Sequence, residues 1–139
     1  MKKQISFFLL FLVLASCKQK IQTSDIQKIN GYWEIEKVVL PNSGDKDYKI
    51  NETIDFFKLK NNVGYRKKVT PQLNGKYLVN DFSEKIKISV KDDKTYIEYA
   101  TDFAIWKDEI ISISDEKLVL KNDANIEYCY KKPIPFTIK

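Results

Sequence analysis

The chain contains no histidine among its 139 residues. Without an imidazole, it cannot form a Ser-His-Asp triad, a Cys-His pair or a histidine-ligated zinc or non-haem iron site. A composition that is 43% hydrophobic and 31% charged is typical of one ordinary folded domain. We therefore predict a binding protein rather than an enzyme, with no catalytic residue, metal or cofactor.

Arginine is almost as scarce as histidine. The formal net charge is +5, yet Arg66 is the only arginine among the 24 basic residues. Nucleic-acid recognition relies on the planar, bidentate guanidinium group, and most lysines here lie singly beside acids instead of forming a basic stripe. We therefore predict no nucleic-acid partner.

The first residues are typical of a secretion signal. Lys2 and Lys3 precede an apolar stretch at positions 5–14, which is too short to span a bilayer. Ser16 and Cys17 then close the segment, which resembles the bacterial lipobox. This resemblance implies cleavage before Cys17, with lipid attached to its sulfur and acylation of its new amino group. The alternative is an ordinary secretory signal with an incidental cysteine.

The lipobox interpretation divides the chain into three parts. Residues 1–16 are the signal peptide, residues 17–23 are a polar lipidated tether, and residues 24–139 form the folded domain. Multiple acyl chains would hold the protein stably on a membrane. Because residues 18–20 contain no acidic side chain, we expect a location in the cell envelope, on the outer membrane and facing the periplasm.

The second cysteine, Cys129, has no partner for a disulfide if Cys17 carries lipid. It lies in an alternating run at positions 126–130. Since no histidine is available to activate it, we interpret Cys129 as a buried structural thiol and not as a nucleophile.

Alternation of apolar and polar residues with period two predicts strands along nearly the whole domain. A short helical turn is expected first, at residues 24–29, with Ser24 as its N-cap. The predicted strands cover residues 32–40, 53–60, 63–70, 76–80, 85–91, 95–101, 105–114, 118–121 and 126–132.

The segments between these strands carry residues that favour turns or left-handed backbone. They are residues 41–45, 61–62, 73–75, 92–93 and 122–125, and we interpret 42–47 as a solvated hairpin loop. Short strands at such regular spacing predict an all-β fold, a sandwich or a barrel.

Two short motifs favour the barrel. Gly31-Tyr32-Trp33 resembles the first lipocalin motif, Gly-x-Trp, at the head of the first strand. Thr101-Asp102-Phe103 resembles a variant of the second motif, Thr-Asp-Tyr, where a turn joins two later strands. The resemblance implies a lipocalin-like, antiparallel, up-and-down barrel of about 8–9 strands after a short helical turn. In this resemblance Gly31, Trp33, Thr101 and Asp102 have structural roles.

One family feature is missing. Typical lipocalins stack an arginine from a late strand over the motif tryptophan, and this chain offers only Lys107, Lys131 or Lys132 in that region. Lysine lacks the planar group that stacks. The resemblance therefore supports the architecture more strongly than any particular ligand.

A lipocalin-like barrel is either filled by its own side chains or holds one small ligand. By strand parity, the candidate ligand-lining residues are Phe57, Tyr99, Trp106, Tyr128 and Tyr130. We predict that they bind a small apolar or amphipathic molecule in the barrel mouth. The alternatives are that they only fill the core, or that the protein is a scaffold whose outer face binds another envelope protein.

Overall fold

Ten β-strands follow one short helix in the computed structural model, which describes residues 20–49 and 51–135. Helix α1, Thr23–Ile26, continues into a 3₁₀ helix, Gln27–Ile29. The strands are β1 Gly31–Leu40, β2 Gly44–Asp47, β3 Ile54–Lys60, β4 Val63–Pro71, β5 Tyr77–Val79, β6 Glu84–Lys91, β7 Lys94–Ala100, β8 Ile105–Ile113, β9 Lys117–Lys121 and β10 Glu127–Lys131.

Eight of these strands close into an antiparallel barrel. The ring runs β1-β3-β4-β6-β7-β8-β9-β10, and β10 pairs back with β1. In that closing pair Ile35 lies opposite Tyr130 and Val38 lies opposite Tyr128, with a bulge in β1 between them. Strands β2 and β5 lie outside the ring and extend β1 and β4. The predicted all-β, antiparallel barrel is confirmed.

The predicted turns between neighbouring strands adopt left-handed backbone. Asn61 and Asn62 have φ of 52° and 65°, and Asp92 and Asp93 have φ of 52° and 61°. Two successive positive φ angles match the right-handed twist of the strands that such a two-residue loop joins. Asn and Asp tolerate this conformation better than other non-glycine residues, so these pairs fix the register of two hairpins.

Two local predictions were wrong. Gly44–Asp47 forms strand β2, whereas the sequence indicated a solvated loop. All four residues are exposed, so no apolar alternation marks them, and the strand forms because β1 offers a free edge there. Ser24 does not cap α1 either: the N-cap is Gln22, and no side chain bonds there.

Helix α1 and the 3₁₀ helix lie across one end of the barrel, which we name the closed end. Their Ile26 and Ile29 are buried against Trp33, Phe57 and Leu59. The remaining core residues continue along the barrel interior and are Ile86, Ile88, Ile97, Tyr99, Ile110, Leu118, Leu120 and Tyr130. Among the described residues no helix covers the opposite end.

Two features are absent from residues 20–49 and 51–135. Among these residues, none of the helices is both long enough and apolar enough to cross a bilayer. The same residues contain no group of three or more cysteine, aspartate or glutamate side chains arranged to hold a metal ion.

Candidate functional site

The barrel has a cavity of about 270 Å³ at the end opposite the helices, which we name the mouth. Inward side chains from β1, β4, β8 and β10, and from the turn after β9, line it. They are Ile35, Arg66, Lys68, Trp106, Asp108, Asn122, Tyr128 and Tyr130. At about 30 Å³ for each water, the cavity has room for about nine water molecules, slightly below typical small-molecule pockets.

Aromatic rings form part of the mouth wall. Trp106 stacks on Tyr99, with 5.3 Å between ring centroids and 14° between ring planes. Tyr128 is half-buried beside the cavity, and its hydroxyl accepts a hydrogen bond from the Asn122 amide at 3.3 Å. This bond ties the aromatic wall to the turn between β9 and β10.

The structure brings three of the five predicted ligand-lining residues to the mouth: Trp106, Tyr128 and Tyr130. Tyr99 is fully buried behind Trp106, and Phe57 is fully buried within the core. That any of them contacts a ligand stays a prediction.

Arg66, the lone arginine, points into the barrel. Its guanidinium lies 4.3 Å from the centroid of the Tyr99 ring and 5.9 Å from that of Phe57. It forms an ion pair with Glu84 on the neighbouring strand β6. Burial opposes the charged form and is the largest single effect, but the Glu84 hydrogen bond together with the charges of Tyr99, Asp55 and Glu84 outweighs it, so the net effect raises the Arg66 pKa. Arg66 is therefore a fixed, paired cation between the core and the mouth.

A second ion pair lies near Arg66. Asp55, on β3, is almost fully buried, and its Oδ1 lies 2.5 Å from Nζ of Lys68 on β4. The Lys68 side chain also lines the mouth and is half exposed. Burial of Tyr130, together with the Asp55 carboxylate nearby, raises the pKa of the Tyr130 hydroxyl well above its usual range.

Asp108 is the third acid inside the barrel. It is only 8% exposed, and no cation forms an ion pair with it among the described residues. The Tyr99 hydroxyl is buried beside it and faces no other hydrogen-bond partner in this part of the chain. Burial raises the Asp108 pKa, while the Tyr99 hydroxyl and the charge of Arg66 act in the opposite direction. Asp108 is thus an acid at the cavity wall that shares the field of Arg66, a cation already paired with Glu84.

Sequence reasoning missed this charged group and anticipated only the aromatic residues. The signal was present in strand parity, because Asp55 alternates inward with Phe57, and Asp108 alternates inward with Trp106. Arg66 was singled out only as a scarce residue type. The mouth therefore has a more polar wall than the sequence suggested.

The first motif lies at the closed end. The Trp33 indole is fully buried and donates a hydrogen bond to the Ile29 carbonyl at 2.7 Å. Nζ of Lys132 lies 3.9 Å from the centroid of the Trp33 ring and donates to the Asn30 carbonyl. Lysine therefore covers the tryptophan here through a cation–π contact, without the stacking plane of an arginine. Gly31 has a φ of +113°, which favours glycine.

The second motif lies at the mouth end, in the turn between β7 and β8. The Thr101 hydroxyl accepts hydrogen bonds from the amides of Phe103 and Ala104, at 3.2 and 3.1 Å. This arrangement holds a tight turn, while Asp102 is exposed. Cys17, the predicted lipid-attachment residue, lies outside the described residues.

Cys129 does not lie in the core as the sequence suggested. Its neighbours Tyr128 and Tyr130 point inward, so alternation places Cys129 on the outer face, opposite Lys37 of β1. It is half-buried, and burial raises the pKa of its thiol. This environment favours an unreactive thiol.

Comparison with known proteins agrees with this geometry. A family model described as "lipocalin-like domain" matches residues 29–120, which include most of the barrel strands and the motif tryptophan Trp33. The chain belongs to the lipocalin-like domain family. This lipocalin-like barrel has no significant match among the curated proteins.

Two solved structures resemble the lipocalin-like chain. One is a lipocalin-like protein from Bacteroides uniformis, which is 10% identical with a TM-score of 0.50 and covers 76% of this chain and 99% of its own. The other is a protein from Bacteroides eggerthii, which is 13% identical with a TM-score of 0.49 and covers 75% of this chain and 98% of its own. At such low identity the first likeness supports the fold alone.

Proposed function

We propose that this lipocalin-like protein is a non-enzymatic binding protein that holds one small amphipathic molecule in the mouth of its barrel. The observation that carries the proposal is the cavity of about 270 Å³ at the end opposite the helices. Its wall combines the apolar faces of Trp106, Tyr128 and Ile35 with a few fixed polar groups. This combination is typical of small-molecule sites.

The proposal includes a membrane anchor. The lipobox-like segment ending at Cys17 supports lipid attachment, and the scarcity of acids after it supports the periplasmic face of the outer membrane. Helix α1, which begins at Thr23, lies at the closed end. A short tether would therefore hold the closed end near the membrane and leave the mouth directed away from it.

Native mass spectrometry of the protein extracted from its own cells tests the proposal. We expect a chain that begins at Cys17 and carries acyl groups, with one small molecule bound. Ile35→Trp should fill the mouth and lose the bound molecule. Val39→Trp is the matched control, because Val39 lies on the same strand but does not line the cavity.

Three results would contradict parts of this proposal. Loss of the small molecule in both tryptophan variants would place it elsewhere, and a wild-type barrel that never carries one would refute binding. An unprocessed chain of 139 residues without acyl groups would refute the anchor. Circular dichroism of both variants checks that the barrel is intact.

A second candidate is a scaffold that binds an envelope protein. It is favoured by large apolar side chains around the mouth, where Phe82 is 84% exposed, Phe103 is 97% exposed and Ile105 is 84% exposed. Exposed apolar groups of this kind mark interaction sites when they are contiguous. A protein partner retained in the same spectra, and lost in Phe103→Ser, would favour this function over small-molecule binding.

A further inference from the structure

The charges in the mouth wall and directly beside it do not balance. Two cations, Arg66 and Lys68, face three acids, Asp55, Glu84 and Asp108. Arg66 pairs with Glu84 and Lys68 pairs with Asp55, so each cation has its own carboxylate. Asp108 is the acid that remains.

Asp108 lies where a ligand in the cavity could contact it. Its side chain is more than nine-tenths buried and belongs to the cavity wall, between Trp106 and the turn that contains Asn122. A buried carboxylate without a cation is costly unless something donates hydrogen bonds to it. Among the described residues the Tyr99 hydroxyl and the charge of Arg66 favour the Asp108 carboxylate, but Arg66 is already paired with Glu84 and no cation forms an ion pair with Asp108. A cationic molecule in the cavity would be within reach of it.

We propose that the ligand of the mouth is a cationic amphiphile, whose ammonium group pairs with Asp108 while its apolar part packs against Trp106 and Tyr128. This inference rests on the proposed function, because it requires that the mouth binds a small molecule. Binding would give Asp108 its missing cation and would leave both existing ion pairs intact.

A matched set of eight-carbon probes tests the charge preference by isothermal titration calorimetry. The probes are n-octylamine, 1-octanol and sodium octanoate, which share the alkyl chain and differ in the head group. At pH 7 we expect n-octylamine to bind about 10- to 100-fold more tightly than 1-octanol, because charge-assisted hydrogen bonds are roughly twice as strong as neutral ones. Octanoate should bind most weakly, since it would face an unpaired carboxylate.

Asp108→Asn is the decisive variant, because it removes the charge and keeps the shape of the side chain. It should bring n-octylamine to within about threefold of 1-octanol, and circular dichroism of the variant checks that the barrel is intact. Asp123→Asn is the charge-matched control. Asp123 is exposed in the turn after β9, lies outside the cavity wall, and its charge acts on Asp108. This control should keep the amine preference.

The pH dependence of the wild-type protein gives an independent readout. As pH falls and Asp108 gains a proton, the amine preference should disappear, although the amine itself stays charged. The groups that face or influence Asp108 from neighbouring elements are Tyr99 on β7, Arg66 on β4, Glu84 on β6 and Asp123 after β9. Any pH dependence of the amine preference that remains in Asp108→Asn would come from these other groups.

The outcomes separate the two proposals. Equal binding of all three probes, or an amine preference that survives in Asp108→Asn, would overturn the cationic ligand and leave small-molecule binding in place. Failure of all three probes to bind, together with an empty wild-type barrel in native mass spectra, would overturn the proposed function and this inference with it.

Discussion

Trp33→Phe is the substitution that most directly tests how the barrel is closed. The indole is fully buried, its N–H donates to the Ile29 carbonyl at 2.7 Å, and the Lys132 ammonium lies over the ring. Phenylalanine keeps an aromatic ring in this position but has no N–H and is smaller. The substitution therefore removes one hydrogen bond and leaves a gap beneath the helices.

The expected loss follows from these contacts. Leaving the buried Ile29 carbonyl without its donor costs about 1–3 kcal/mol. The incompletely filled space adds about 1–2 kcal/mol, and the weaker cation–π contact with Lys132 adds a smaller amount. We expect the free energy of unfolding to fall by about 3–4 kcal/mol, a large value for a single substitution.

Urea denaturation followed by circular dichroism measures this loss. With a slope of about 1–3 kcal/mol per molar urea, the unfolding midpoint should fall by about 1–4 M. Trp106→Phe is the matched control. Trp106 is half-buried at the mouth, and its indole N–H has no hydrogen bond within the described ranges, so this change should cost less than about 1.5 kcal/mol. Equal losses in the two variants would refute the role assigned to Trp33.

Two further predictions concern Gly31 and Asp108. Gly31→Ala should lower the free energy of unfolding by about 1–3 kcal/mol, because φ is +113° and the new Cβ would lie 3.3 Å from Nζ of Lys132; an unchanged urea midpoint would contradict it. Burial raises the Asp108 pKa in the folded state, so the protonated carboxyl contributes stability. This contribution is fully present below the unfolded-state pKa of Asp108 and is lost as pH rises through its folded-state pKa. Asp108→Asn should therefore raise the urea midpoint at pH 7 and leave it nearly unchanged at pH 3, and a lower midpoint at pH 7 would show that the carboxylate stabilises the fold.

Most of the strand pattern was readable from the sequence because each strand has one buried face. Residues 85–91 alternate strictly, and the structure places Ile86 and Ile88 in the core with the intervening lysines outside. The hairpin at Asn61-Asn62 was readable because few other residues accept two consecutive left-handed conformations. Strand β2 could not be predicted, because its exposed residues show no alternation of apolar and polar side chains. They form a strand only by pairing with the edge of β1.

The site was predictable only in part. Aromatic residues at inward parity, such as Trp106 and Tyr128, led to the mouth because large side chains are conspicuous in a pattern. The ion pairs could not be predicted from the sequence. Arg66 and Glu84, for example, are 18 residues apart and lie on different strands. An excess acid at Asp108 becomes visible only when every other charge in the barrel has been assigned a partner.

The sequence by itself determined the class of fold, the turn positions and the absence of imidazole chemistry, because these depend on local pattern and composition. It also indicated that Trp33 is a core residue, because a large apolar side chain on the inward face of an amphipathic strand is buried in the barrel. Tertiary structure alone decided which end of the barrel closes and which charges meet inside it. Those outcomes depend on how the strands pair around the ring, where residues far apart in the chain, such as Gly31 and Lys132, become neighbours.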